Sequence, residues 1–263
     1  MHPYLFDWVV GGHHLRPPSY GVMLALGFSL GYFEALRRAA KLGENPRHIE
    51  NLFLMLVLGT VVGARLFHVV FEEFPYYLAH PAKIFAVWEG GYTFYGGLVT
   101  ALFFMYLYCR RKKLDYLQFM DIAAPSTAIG LFMGRLGCFF AGCCWGRPTT
   151  VPWAVTFSNP ESFTSVHHLT VHPTQLYEAF GAVAVLIYLQ WRFSRRRYLG
   201  QLFFHGLIAY AVLRFLVEFF RGDDYRGFIF GHTLSYAQFV SLMIFPLAVV
   251  GMFLYSRVKK RNG

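Results

Sequence analysis

Seven apolar stretches, each close to the length that crosses a bilayer, constrain this chain more than any other feature. They cover roughly residues 20–36, 49–70, 93–109, 118–140, 174–191, 201–220 and 234–256. About 20 mostly apolar residues in a helix fill the hydrocarbon core. The composition agrees, since only 14% of the residues are charged against roughly 25% in soluble domains. The chain therefore reads as an all-α integral membrane protein of about seven transmembrane helices, one polytopic domain over residues 1–263.

The basic residues set the orientation. Arg37, Arg38, Lys41 and Arg47 follow the first stretch; Arg110, Arg111, Lys112 and Lys113 follow the third. Arg192, Arg195, Arg196 and Arg197 follow the fifth, and Arg257, Lys259, Lys260 and Arg261 close the chain. The alternate loops are poorer, with Lys83, Arg147 and Arg226. The positive-inside rule then puts the N-terminus outside and the C-terminus in the cytoplasm. The net charge of +10 sits in these clusters, which face lipid headgroups, and no nucleic-acid partner is expected. Residues 1–19 hold Asp7, Arg16 and three prolines, so no cleavable signal peptide is expected and the first span does the targeting. Two outer connections exceed a turn. Residues 71–92 read as an external interfacial segment, and residues 147–173, with the alternation Val151–Phe157, as a small external head.

Once orientation is set, polar residues inside the spans acquire depths. Tyr20, Arg65, Tyr95, Arg135, Glu178, Arg214, Glu218 and Arg221 all fall on the outward side. A charge deep in a bilayer costs at least ~2.5 kcal/mol, so such residues face partners or a polar cavity. Their common depth argues for one cavity open to the outer leaflet. Blander readings stand beside it. Arg214 and Glu218 are spaced as an i,i+4 ion pair, Arg65 and Arg221 can snorkel to the interface, and Tyr20 and Tyr177 suit an interfacial belt. Arg135, between Gly134 and Gly137, is harder to explain as structure alone. Several guanidiniums facing few acids favour a phosphate, because arginine forks onto phosphate oxygens. At this depth the abundant phosphate is a phospholipid headgroup, and a buried arginine also stabilises a departing phosphate.

Cys138, Cys143 and Cys144 form a C-x4-C-C pattern. They read first as small buried apolar residues, with a disulfide or a zinc site completed by His172 as lesser alternatives. No metal and no cofactor are expected. Cys109, in a cytoplasmic cluster, is incidental.

These residues resemble a known family, the prolipoprotein diacylglyceryl transferases. Gly134-Arg135-x-Gly137-x-Phe139 through Gly146 follows the frame of its signature G-R-x-G-N-F-x-N-x-E-x-x-G. His172-Pro173-Thr174-Gln175-Leu176-Tyr177-Glu178 is similar to its H-P-[ST]-Q-L-Y-E, and Arg214–Arg221 to its R-F-x-x-E-x-x-R. Tyr20-Gly21 and Val151–Ala154 match in order. The signature's asparagines and glutamate are Cys138, Ala141 and Cys143 here, and its F-H-G-G reads Phe94-Tyr95-Gly96-Gly97. The resemblance implies transfer of the diacylglyceryl group of phosphatidylglycerol to the lipobox cysteine of a preprolipoprotein, with a thioether formed and glycerol phosphate released. It implies catalytic roles for Tyr20, Arg214 and Glu218 and a phosphatidylglycerol site that includes Arg135, Arg221 and Gly146. Tyr95, standing where the family has a histidine, is a further catalytic candidate. Arg65, by its depth, and Gly96 and Gly97 are further lipid-binding candidates, and His172 or Glu178 is a possible base. The setting would be the bacterial inner membrane, with the active site towards the outer leaflet. The alternatives from the residues are a membrane thiol–disulfide oxidoreductase and a non-catalytic phospholipid-binding protein.

Overall fold

The computed structural model describes residues 2–10, 13–86, 90–223, 227–229, 231 and 233–261. Arg226, and residues 87–89 of the 71–92 segment, lie outside the described residues. Seven long helices fall where the apolar stretches predict: α1 (Ser19–Lys41), α2 (Pro46–Phe67), α4 (Phe94–Lys112), α5 (Tyr116–Ala141), α6 (Thr174–Phe193), α7 (Gln201–Glu218) and α8 (Tyr236–Arg261). A short helix, α3 (Phe74–Ala79), lies between α2 and α4. Among the described residues, five helices are long and apolar enough to cross a membrane: Ser19–Lys41, Pro46–Glu72, Tyr116–Ala141, Gln201–Glu218 and Tyr236–Arg257.

Local chemistry fixes the helix ends. Asn45 caps α2 by accepting from the Arg47 N–H, with proline at the first helical position, where a missing N–H costs nothing. Asp115 accepts from Leu117 and Gln118 at the start of α5. Ser235 and Gln238 satisfy each other's backbone N–H groups before α8, the reciprocal arrangement of a capping box. α7 borrows its cap from another helix. Asp121 of α5, fully buried, accepts from Gly200 and Phe203 at 2.9 and 3.0 Å and so satisfies two donors that the first helical turn leaves open.

The described residues form two compact units, Met1–Ala35 with Met120–Gly263, and Leu36–Phe119. The smaller has its own core because α2 and α4 pack with almost no side chain between them. A Cβ on Gly63 would sit 2.3 Å from Thr100, and one on Gly96 2.3 Å from Phe67. Small residues at such a seam let backbones approach, which is how helices associate in lipid. After α2 a π turn (His68–Glu72), α3 and a 3-10 turn (Pro81–Phe85) occupy the 71–92 segment.

In the larger unit, residues 147–173 make a small folded piece. Its strands are shorter than the Val151–Phe157 alternation suggests: β3 (Val155–Thr156) pairs antiparallel with β4 (Thr170–Val171). Prolines at 148 and 152 remove ladder donors on the N-terminal side. Trp145, Phe157 and Val171 form its buried core. A second hairpin, β1 (Trp8–Val10) with β2 (His13–Leu15), is linked to it through Arg16, which bridges Asp7 and Glu161 at 3.1 and 3.0 Å. These pairs are exposed to solvent, which screens them, so they add little to stability.

Candidate active site

Three helix ends meet at one level in the larger unit. Arg135 lies six residues before the end of α5, Glu178 four residues after the start of α6, and Arg214 four before the end of α7. A helix rises about 1.5 Å per residue, so these side chains start about 6–9 Å below the helix ends. Glu178 is 1% exposed and joins the two arginines: one carboxylate oxygen takes Nε of Arg135, the other Nη1 of Arg214 at 2.8 Å. Arg214 also pairs with Glu218 one turn on, at 2.8 Å. Two guanidiniums and two carboxylates thus balance. The expectation of few acids facing the arginines is corrected here, because the counter-ions come from different helices.

Arg221 follows α7 and pairs with Asp223 through two parallel bonds, Nε to Oδ1 at 2.7 Å and Nη2 to Oδ2. Burial works against its charge, but the Asp223 carboxylate outweighs this and raises the guanidinium above its ordinary value. The backbone around it is knitted: Gly146 bridges Arg221, the Gly222 N–H donates to Trp145, and the Arg147 N–H to Phe220. Gly146 lies between this segment and His172, where a Cβ would be 2.5 Å from the His172 carbonyl oxygen. Only glycine fits. His172 Nδ1 is 3.0 Å from the Tyr177 hydroxyl, which accepts from the Trp153 indole at 2.7 Å. Tyr20, at the start of α1, packs over Gly137 and interacts electrostatically with Arg135 and with Cys138, Cys143 and Cys144.

The chain leaves α5 through Gly142 (φ +83°) and Cys144 (φ +62°). The first suits glycine; the second is an unusual backbone for cysteine. Two side chains from α6 hold this turn, Gln175 donating to the Cys143 carbonyl at 2.7 Å and Thr174 to that of Cys144 at 2.8 Å. The three sulfurs come within 4.8 Å of one another, and all four cysteines are free thiols.

The remaining predicted residues belong to the smaller unit. Arg65 is 5% exposed, and its five N–H donors reach five backbone carbonyls, those of Ile84, Gly90, Gly91, Lys83 and Ala86, at 2.5–3.4 Å. Its guanidinium also lies over the Tyr77 ring. A guanidinium has five donors, so none is left for a phosphate. Gly96 and Gly97 face α2, at Phe67 and at Thr60. Tyr95 is half exposed at the start of α4.

Sequence reasoning missed Asp121, Asp223, Gln175 and Thr174. Asp223 had a signal, an acid two residues after a buried arginine. Thr174 and Gln175 lie in the family-like His172–Glu178 segment without a role read for them, and Asp121 had no signal, because its partners are far away in sequence.

A family model described as prolipoprotein diacylglyceryl transferase matches residues 9–254. The chain is 39% identical over 244 residues to the phosphatidylglycerol–prolipoprotein diacylglyceryl transferase of Nitratidesulfovibrio vulgaris (strain DSM 19637 / Miyazaki F), covering 90% of this chain and 88% of that one. It is 39% identical over 240 residues to that of Bordetella parapertussis, with 90% and 88% covered. To the Geobacter sulfurreducens protein of the same name it is 36% identical over 249 residues, with 94% of each covered.

Proposed function

We propose a mechanism from one premise: this chain belongs to the prolipoprotein diacylglyceryl transferase family. It is an enzyme that moves the diacylglyceryl group of phosphatidylglycerol to a cysteine thiol of a prolipoprotein. The thioether C–S bond forms as the C–O bond to phosphate breaks, and glycerol phosphate leaves with the electron pair. The acceptor is the lipobox cysteine of a preprolipoprotein signal peptide. We place the protein in the bacterial inner membrane with seven spanning helices, N-terminus outside, and the site towards the outer leaflet. α4 and α6 complete the seven, although basic residues in α4 and Glu178 in α6 lower their hydropathy.

One observation carries the assignment of roles: two buried carboxylates on α6 and α7 orient arginines from α5 and α7 at a single depth. Arg135 commits its Nε edge to Glu178, and we assign its outer edge, with Arg221, to the phosphate. Donors fixed before the reaction stabilise charge as it develops on the leaving phosphate, without reorganising. Arg214 and Glu218 keep that edge in place. Glu178, bound by two guanidiniums, serves as their counter-ion, and His172, held through Nδ1 by Tyr177, orders the head. Gly146, Gly96 and Gly97 act through close packing, and Arg65 through the loop it gathers. Tyr20 lies beside Arg135 and the thiols and is assigned to hydrogen-bond the bound headgroup.

The test is purified protein with labelled phosphatidylglycerol and a lipobox peptide. The account expects thioether peptide and glycerol phosphate in equal amounts; lipid binding without either product would overturn it.

A further inference from the structure

The transfer needs a thiolate, yet an ordinary thiol has a pKa of ~8.5 and is only a few per cent ionised at neutral pH. Around Arg135 the charged groups offer no evident base. Glu178 is neutralised by two guanidiniums, Glu218 pairs with Arg214, and Asp223 pairs with Arg221. Tyr20 is a phenol, a poor base at this pH. What lies beside Arg135 instead is a cluster of three sulfurs on one tight turn.

We propose, building on the transferase reading above, that Cys138, Cys143 and Cys144 hold a zinc ion whose fourth position takes the acceptor thiol as a thiolate. The geometry fits. A tetrahedral ion with Zn–S bonds of ~2.3 Å places sulfurs about 3.8 Å apart, and these three lie within 4.8 Å of one another. The turn is built to converge: Cys138 comes from the last turn of α5, and the left-handed backbone at Gly142 and Cys144 folds the next two thiols back beside it. Gln175 and Thr174 pin the carbonyls of Cys143 and Cys144 from α6, and the Cys143 thiol donates to the Cys138 carbonyl at 3.8 Å. Cys138 is buried, while Cys143 and Cys144 are partly exposed, which leaves a side for a ligand to enter. Three protein ligands with one open position is the pattern of reactive zinc sites, whereas structural sites are closed by four. Arg135 and Arg221 interact electrostatically with Cys144 and offset the net negative charge of a zinc tris-thiolate.

The step balances. The acceptor S–H gives up its proton as the Zn–S bond forms, since a coordinated thiol is deprotonated outright. That sulfur then bonds to the glyceryl carbon bearing the phosphate, and the Zn–S bond is released. The C–O bond breaks, its electron pair stays on the phosphate oxygen between Arg135 and Arg221, and the proton ends on the glycerol phosphate. No electron is gained or lost. This replaces the expectation of no metal, which rested on the C-x4-C-C spacing; the turn at Gly142 brings together sulfurs that a continuous helix would separate.

The full-length protein in detergent, incubated with zinc and then desalted, should retain one zinc per chain by elemental analysis. Cobalt(II) should replace it with the charge-transfer absorbance of tetrahedral thiolate ligation. Cys143→Ser and Cys144→Ser should lose both signals, and Cys109→Ser neither. In the transfer assay, zinc-loaded protein should vary little between pH 7 and 9. Chelated protein should be at least tenfold slower at pH 7 and gain about 25-fold by pH 9, following the ionisation of a free thiol with pKa ~8.5. Less than 0.2 zinc per chain, binding that survives Cys143→Ser, or a mass two units low from a disulfide in the fully active protein would overturn the proposal. Zinc bound as expected with no transfer at any pH would overturn the transferase role and its zinc-bound acceptor together. Transfer by protein that binds no zinc would overturn the zinc site alone.

Discussion

Arg135, Arg214 and Arg221 each carry charge where an isolated charge is expensive, and each has a carboxylate within bonding distance. Removing one partner of a buried pair costs about 3–5 kcal/mol, because the other is left uncompensated. Glu178 is shared by two arginines, so Glu178→Ala should be the most destabilising change at the site, seen as a large drop in the thermal midpoint in detergent. A midpoint near that of the native chain would show that the bridge is not formed. Arg65 has the same cost with a different solution, five carbonyls in place of an acid. Lysine has one ammonium in place of the planar fork, so Arg65→Lys should loosen residues 83–86 and 90–91 and expose new protease cuts there. An unchanged digestion pattern would deny the clamp. The sequence could show that these arginines are buried, since each interrupts or ends an apolar run. It could not show their partners, because the acids and carbonyls that balance them come from other helices and loops.

Helix positions were the most legible feature, since a bilayer imposes length and hydropathy on each segment separately. α1 to α8 begin and end within a few residues of the apolar stretches, apart from the short α3. Packing between them was less legible. Gly96 and Gly97 looked like ligand contacts through their place in a family pattern, whereas the structure sets them in the α2–α4 seam. A Cβ at Gly96 meets Phe67 at 2.3 Å, and overpacking costs about 1–3 kcal/mol or more. Gly96→Val should therefore lower the thermal midpoint sharply. Gly130→Ala in α5, where an added Cβ meets nothing within 4 Å, should be neutral or gain up to about 1 kcal/mol. Equal effects of the two would contradict the seam. The cysteine turn was illegible for a related reason: spacing along a helix says nothing once the helix has ended at Ala141.

At the scale of the molecule, the basic clusters predict which helix ends face out, and labelling tests it. A cysteine placed at exposed Thr150 should add labelling by a membrane-impermeant maleimide from outside intact cells, above that of the native chain with its partly exposed Cys143 and Cys144. A fluorescent fusion at the C-terminus should fold in the cytoplasm; the reverse pattern would invert the orientation. The central claim is narrower, that guanidiniums fixed by buried carboxylates grip the lipid phosphate as it leaves. The most direct measurement is the turnover of Arg135→Lys, which keeps the charge and loses the fork, with labelled phosphatidylglycerol and a lipobox peptide. Loss of one preorganised donor to a developing anion costs about 10²–10³ in kcat, and that is the fall expected, with the thermal midpoint held within a few degrees. Turnover within threefold of the native chain would contradict the account.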